Sequence, residues 1–288
     1  MQKKLLSRLF VLFLVVLFQE APSQPVSNDA GIPPHPRELK YPKLIYNPPK
    51  ASDYRRVLAN GVVAFMAEDH DFPLVNISVL VRTGGYLDPK GKEGLAAMMG
   101  NQMRAGGTTH LAADKFDEEV DFLAAVINSS NMAATQASAN LNCLSKDLDK
   151  ALELFLDMLK SPGFQQDRID LYKSQVLQNF ERRNDQTEVI QAREWTHLMY
   201  GDNHFSAAQQ TKASIESISR QDLLDFHKKY YHPGAFTFAV SGDFKSSEMT
   251  TRLEKMMQGW DARETEVLPV PKPNHRSEER RVGKECRL

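Results

Sequence analysis

Between Leu74 and Thr108 the chain switches from a period of two to a period near that of a helix. Leu74 to Val81 alternates, with Val75, Ile77, Val79 and Val81 on one face and Asn76 and Ser78 on the other. That alternation predicts a half-buried strand. A Gly-rich turn follows at Thr83-Gly84-Gly85-Tyr86. The next stretch, Gly94 to Thr108, reads GLAAMMGNQMRAGGT. It carries no Pro, and Leu95, Met98, Met99 and Met103 recur at helical spacing ahead of the stop at Ala105-Gly106-Gly107. This predicts a short helix with a buried stripe. Ala97, Gly100 and Asn101, three and four apart, share a neighbouring face.

The same two periods alternate along the rest of the chain. Tyr54 to Leu58 and Val62 to Ala67, joined by Asn60-Gly61, predict a hairpin. The charged run Glu68-Asp69-His70-Asp71 reads as a solvated turn rather than a metal site, because loop neighbours do not converge without supporting partners. Ala113 to Leu123 predicts a helix with Phe116, Val120 and Leu123 inward and an acidic outer face. Val126 to Leu144 reads as two strands with the polar Asn128 to Asn131 between them. Ser145 is placed as the cap of a helix over Lys146 to Lys160, cored by Leu148, Ala151, Leu152, Phe155 and Leu159. Further helices are expected at Gln165 to Arg183, Glu188 to Tyr200 and Gln221 to Tyr231, the last capped by Ser219 with Asp222. A strand over Ala235 to Val240 and a helix over Ser247 to Trp260 complete the pattern. His227 and His232, five apart across a helix end, do not share a face for one metal. Strands interleaved with pairs of helices predict an α+β fold: an antiparallel sheet with helices packed on one face.

The net charge of −1 gives no basic excess for nucleic acid. Met1 to Ser23 reads as a secretory signal peptide: Lys3, Lys4 and Arg8 precede an apolar Leu9 to Phe18 and a small-residue site at Ala21-Pro22-Ser23. Its apolar core falls short of the roughly 20 residues needed to span a bilayer, so no membrane span is expected after cleavage; an uncleaved anchor is the alternative. The mature chain is then exported, to a periplasm. Residues 24–50 read as a Pro-rich extended arm. Of the two Cys, Cys143 sits in an apolar strand pattern as a small buried hydrophobe, and Cys286 lies in the tail RSEERRVGKECRL. That tail, residues 276–288, resembles translated sequencing-adapter sequence, so the natural chain is expected to continue past residue 275.

The Gly94–Thr108 stretch resembles the active-site helix of the pitrilysin or insulinase type of zinc peptidase, the group that includes mitochondrial processing peptidase. That helix reads roughly GLAHLLEHMLFKGT and carries an inverted HxxEH motif. In that motif two His bind zinc from one helix face and the Glu activates water. Laid over this chain, the first His falls on Ala97, the Glu on Gly100 and the second His on Asn101. The family's third ligand is a Glu in a segment like VLEEI; here the match, Val176-Leu177-Gln178-Asn179-Phe180, puts Asn179 there. Leu123 to Ser130 is similar to the family's LGGxVNAxT, the sheet edge that holds extended peptide. That resemblance implies a peptide-binding edge at Val126, Ile127, Asn128, Ser129 and Ser130. LLDFHKKYYHPGAFTFAVSGDF resembles a further family segment, FHxxYYxPxNMxLVVVGD. The likeness implies one peptidase-like unit over residues 51–262, with 263–275 as a linker to a second unit.

Ala97 and Gly100 offer no donor, and Asn101 and Asn179 offer neutral amides that suit zinc poorly. The resemblance therefore implies a non-catalytic member without zinc or another cofactor. Such a chain binds peptide, or pairs with a zinc-bearing relative or a second repeat unit. The alternative is a zinc-dependent metalloendopeptidase with a relocated metal site.

Overall fold

The computed structural model describes residues 44–131, 134–260 and 269–272, together with His35 and Arg37. The signal-like start, the arm up to residue 43, most of the linker, Cys286 and the tail lie outside the described residues. A turn of helix, α1 (Ala51–Tyr54), leads into β1 (Arg55–Val57), which pairs antiparallel with β2 (Val63–Glu68). The hairpin turns at Gly61, whose φ of 82° is the left-handed conformation that Gly adopts without strain.

β3 (Leu74–Val81) leads to α2 (Leu95–Ala105), α3 (Ala113–Phe122), β4 (Val126–Ser130) and β5 (Ala137–Leu144). Next come α4 (Leu148–Lys160), α5 (Gln166–Arg182), α6 (Thr187–Tyr200), α7 (Lys212–Ser217) and α8 (Arg220–Tyr230). β6 (Phe236–Gly242) and α9 (Ser246–Met256) follow. The six strands form one sheet in the order β1-β2-β6-β3-β5-β4. All pairings are antiparallel except β2 with β6, so the α+β sheet is mixed. The parallel pair arises because β6 returns beside β2 after the long helical excursion, a connection that parallel neighbours need.

The two faces of the sheet differ as the alternation requires. Val75, Ile77, Val79 and Val81 are buried under the helices with Ala139, Leu141, Phe238 and Val240. The stripe of α4 is buried with them at Leu148, Ala151, Leu152, Phe155 and Leu159. On the opposite face Asn142 donates to Asn76 (2.6 Å), Asn140 to Asn128 (3.0 Å) and Ser78 to Asn140 (2.7 Å). These amides explain one departure from the sequence reading. Asn128 to Ser130 are strand residues rather than the connection, because Asn128 finds its partner across the strand pair. Ser145 departs too: residues Ser145–Asp147 form a 3₁₀ turn, and the Ser145 hydroxyl bonds Asp243 instead of capping α4. α7, opened by a capping box at Thr211, was not anticipated. The expected cap of α8 is present: Ser219 Oγ accepts from the Asp222 amide and Asp222 accepts from the Ser219 amide.

Among the described residues no helix is long and apolar enough to cross a membrane. Cys143 is buried, and burial lifts its thiol to about 11, in keeping with a packing role. His227 is buried as well; its ring bonds the Leu159 carbonyl at 2.8 Å and stacks on Tyr231. Burial lowers its pKa, so the ring is held neutral as part of the core.

Candidate functional site

α2 lies beside β4 and α8 and sets the geometry of the site. Its buried stripe of Leu95, Ala96, Met98, Met99, Gln102 and Met103 fixes its rotation. Its first turn is anchored by a residue the sequence reading missed. Asp88 accepts the Gly94 amide through Oδ2 and the Ala96 amide through Oδ1, both at 2.8 Å. Burial pushes the Asp88 carboxyl up to about 6, against the amide bonds that pull it down. Asp88 lies six residues before Gly94 and outside capping spacing, so no local signal marks it.

With α2 set this way, Ala97 lines a cleft of about 600 Å³ walled also by Tyr86, Asp88, Asn131, Phe205 and Gln210. Gly100 points into protein. A Cβ built on it lies 2.5 Å from the Asn131 backbone nitrogen and 2.6 Å from the Asn131 Cβ. Gly84 makes the same allowance on the other side of the loop, where a Cβ meets the Ala134 carbonyl oxygen at 2.5 Å. Asn131 thus abuts Gly100 and Ala134 abuts Gly84, and the Asn131 backbone stands where a side chain at position 100 would project. Asn101 is exposed and accepts from Gln102 at 2.9 Å. Asn179 is exposed on α5 and is not among the residues lining the Ala97 cleft.

The donor set does not fit zinc. Position 97 has no donor, position 100 has neither donor nor room for one, and positions 101 and 179 carry neutral, exposed amides. Among the described residues no group of three or more His, Cys, Asp or Glu is placed to hold a metal ion.

The second element is β4, which among the described residues pairs only with β5 and forms one end of the sheet. Two bonds beyond the strand ends fix which backbone groups it leaves open. The Ser145 amide donates to the Pro73 carbonyl and the Asp243 amide to the Leu74 carbonyl. Odd residues of β3 therefore face β5 and even ones face β6. The registers then aim the even residues of β5 at Val126, Asn128 and Ser130. The backbone N–H and C=O groups of Ile127 and Ser129 consequently point away from the sheet. One of these is already taken: Arg104 Nε donates to the Ile127 carbonyl at 2.9 Å. Arg104 also pairs with Asp117 and lies 5.1 Å from the centre of the Phe116 ring. It stands four residues past Gly100 on the helix, a spacing that marks it as a neighbour of that face.

This arrangement has relatives. Residues 63–208, half of the chain, match the model of the insulinase family (peptidase family M16), and residues 217–285 match the peptidase M16 inactive domain. The chain belongs to the insulinase family. It is 25% identical over 191 residues to the "non-peptidase homolog YmxG" of Helicobacter pylori, covering 66% of this chain and 44% of that protein. It is 22% identical over 228 residues to the "zinc protease PqqE" of the same organism, covering 74% and 48%. Among solved structures, a peptidase M16 inactive domain from Pseudomonas fluorescens superposes with a TM-score of 0.65 at 22% identity, covering 75% of this chain and 51% of that one. The first half of the periplasmic protease PqqL from Escherichia coli gives 0.65 at 16%, covering 75% and 48%. Those structures establish the fold. The chain spans about half the length of the relatives it matches.

Proposed function

We propose that this M16 unit works by holding extended polypeptide, not by cutting it, and that it pairs with a zinc-bearing family member or a second such unit. The observation that carries the reading is the seating of the Asn131 backbone against Gly100. Gly100 offers no side chain for a general base and the Asn131 backbone leaves no space for one, while β4 keeps the outward groups of Ile127 and Ser129, one of them bonded by Arg104. Peptide hydrolysis by the zinc mechanism then fails twice, at metal binding and at water activation. Strand addition needs neither step, since main-chain hydrogen bonds supply the affinity. A paired unit would supply the rest of the enclosing surface. We read the chain as exported, its mature form starting near Gln24; N-terminal sequencing of the mature protein tests that start.

Metal analysis and a binding assay test the central reading together. The purified chain is expected to hold no stoichiometric zinc, to leave an unfolded polypeptide uncut, and to co-purify with a co-expressed M16 relative carrying an intact HxxEH helix. One zinc per chain with chelator-sensitive cleavage would establish the relocated-site alternative. Failure to associate, with the relative cleaving equally well alone, would remove the partner role.

A further inference from the structure

We propose that Arg104 is a plug on the open edge of the sheet, and that an extended polypeptide adds to β4 only by displacing it. The inference rests on the reading of β4 as a holding edge and names what controls access to it. A strand adding to β4 needs the Ile127 and Ser129 groups that face away from β5. The Ile127 carbonyl is the acceptor that Arg104 occupies. The guanidinium is held there from a third element: Asp117 and Phe116 both lie on α3, so the side chain bridges α2, α3 and the edge. It is half-buried, with 26% of its side chain exposed, which shields its bond to the carbonyl from water.

The chemistry suits a plug that can be drawn. A guanidinium has five donors, and releasing one carbonyl leaves the Asp117 pair intact. A backbone N–H of the incoming strand takes the vacated acceptor, so no buried carbonyl is orphaned in the exchange. The occupant is therefore an extended segment with a free backbone N–H opposite Ile127; its side chains are unrestricted by the main-chain bonds. The plug also protects the chain when nothing is bound, since an open edge invites pairing between copies.

The test measures binding of fluorescein-labelled β-casein, an unfolded polypeptide, by anisotropy. It compares the natural chain, Arg104→Met, Asp117→Asn, Ser129→Pro and the double variant Arg104→Met/Ser129→Pro. Met keeps the apolar stem over Phe116 and removes the donors. Pro at 129 removes an outward N–H and leaves the β4–β5 ladder, whose bonds come from the even residues. Because a net hydrogen bond from a charged group is displaced, Arg104→Met is expected to bind about tenfold tighter or more. Asp117→Asn, which loosens the plug without deleting it, is expected to bind tighter by a smaller factor. The double variant is expected to lose the gain. Arg104→Met binding no tighter than the natural chain, with Ser129→Pro still weakening the natural chain, would overturn the plug and leave the holding edge standing. Binding by none of the variants, or binding indifferent to Ser129→Pro, would overturn both.

Discussion

Gly100→Ala isolates the contact on which the proposed holding role turns. In a helix interior Ala is favoured over Gly by about 1 kcal/mol, so at an open position the substitution stabilises. Gly100 is not open. The new methyl lies 2.5 Å from the Asn131 nitrogen and 2.6 Å from its Cβ. Non-bonded heavy atoms rest near 3.5–4 Å, so the loop or α2 has to shift by about 1 Å. The atoms in the way include backbone of a residue only 2% exposed, which cannot turn aside as a surface side chain does. Overpacking of this kind costs about 1–3 kcal/mol, and the upper part of that range applies. Set against the helix gain, a net loss of about 1–2 kcal/mol remains, or a fall in Tm of about 2–8 °C for a unit of this size. Urea and thermal unfolding followed by far-UV circular dichroism measure it. Asn179→Ala, at an exposed position of α5, is the control and is expected to be neutral or mildly stabilising. A Gly100→Ala chain as stable as the natural one would mean that Asn131 does not fill the position.

Asp88 binds its proton more tightly in the fold than in the unfolded chain, because burial raises it to about 6. Its stabilising share is therefore complete below about pH 4 and is lost as pH rises through about 6. Urea midpoints taken from pH 4 to 7 should show the natural chain losing up to about 3 kcal/mol relative to Asp88→Asn over that interval; parallel curves would refute the burial argument. Ser219→Ala removes the acceptor for the Asp222 amide and is expected to cost about 1 kcal/mol in the same assay, whereas no loss would show the cap to be energetically idle.

The parts of this molecule legible in its sequence are those written in short-range pattern. The alternation over Leu74 to Val81 gives β3 with its buried face, and the stripe of α4 is buried at every anticipated position. The Ser219–Asp222 cap was legible for the same reason, since its partners lie three residues apart. What pattern could not give is whatever depends on a partner distant in sequence. Asn128 reads as loop until Asn140 is opposite it. Ser145 reads as a cap until Asp243 arrives to take its hydroxyl. The parallel pairing of β2 with β6 joins segments some 170 residues apart, which no local period encodes. At the candidate site the lack of a side-chain donor at Ala97 and Gly100 was legible, because it is a property of the residue itself. That the space beside Gly100 is filled by the backbone of Asn131 was not, because Asn131 lies on another segment.

That distinction decides whether the family's zinc chemistry can be introduced by substitution. Positions 97, 100, 101 and 104 run down α2 at helical spacing, and each has a present occupation. Ala97 lines the cleft, Gly100 admits the loop, Asn101 meets solvent and Arg104 bonds the edge. Exchanging Ala97→His, Asn101→His and Asn179→Glu changes one cleft residue and two exposed ones and leaves the loop in place. Adding Gly100→Glu is a different perturbation. It forces a side chain into the Asn131 backbone and places a carboxylate where the surrounding groups are buried, a charge that must then be desolvated. The fourfold variant is therefore expected to be less stable than the threefold variant by more than Gly100→Ala costs alone, and to gain no peptidase activity even with zinc supplied. Paired urea unfolding of the threefold and fourfold variants checks the first expectation, and zinc-dependent cleavage of β-casein checks the second. Equal midpoints together with new cleavage would show that the loop yields and that only ligands were lost. Unequal midpoints without cleavage would place the barrier to catalysis in the Asn131 backbone seated against Gly100.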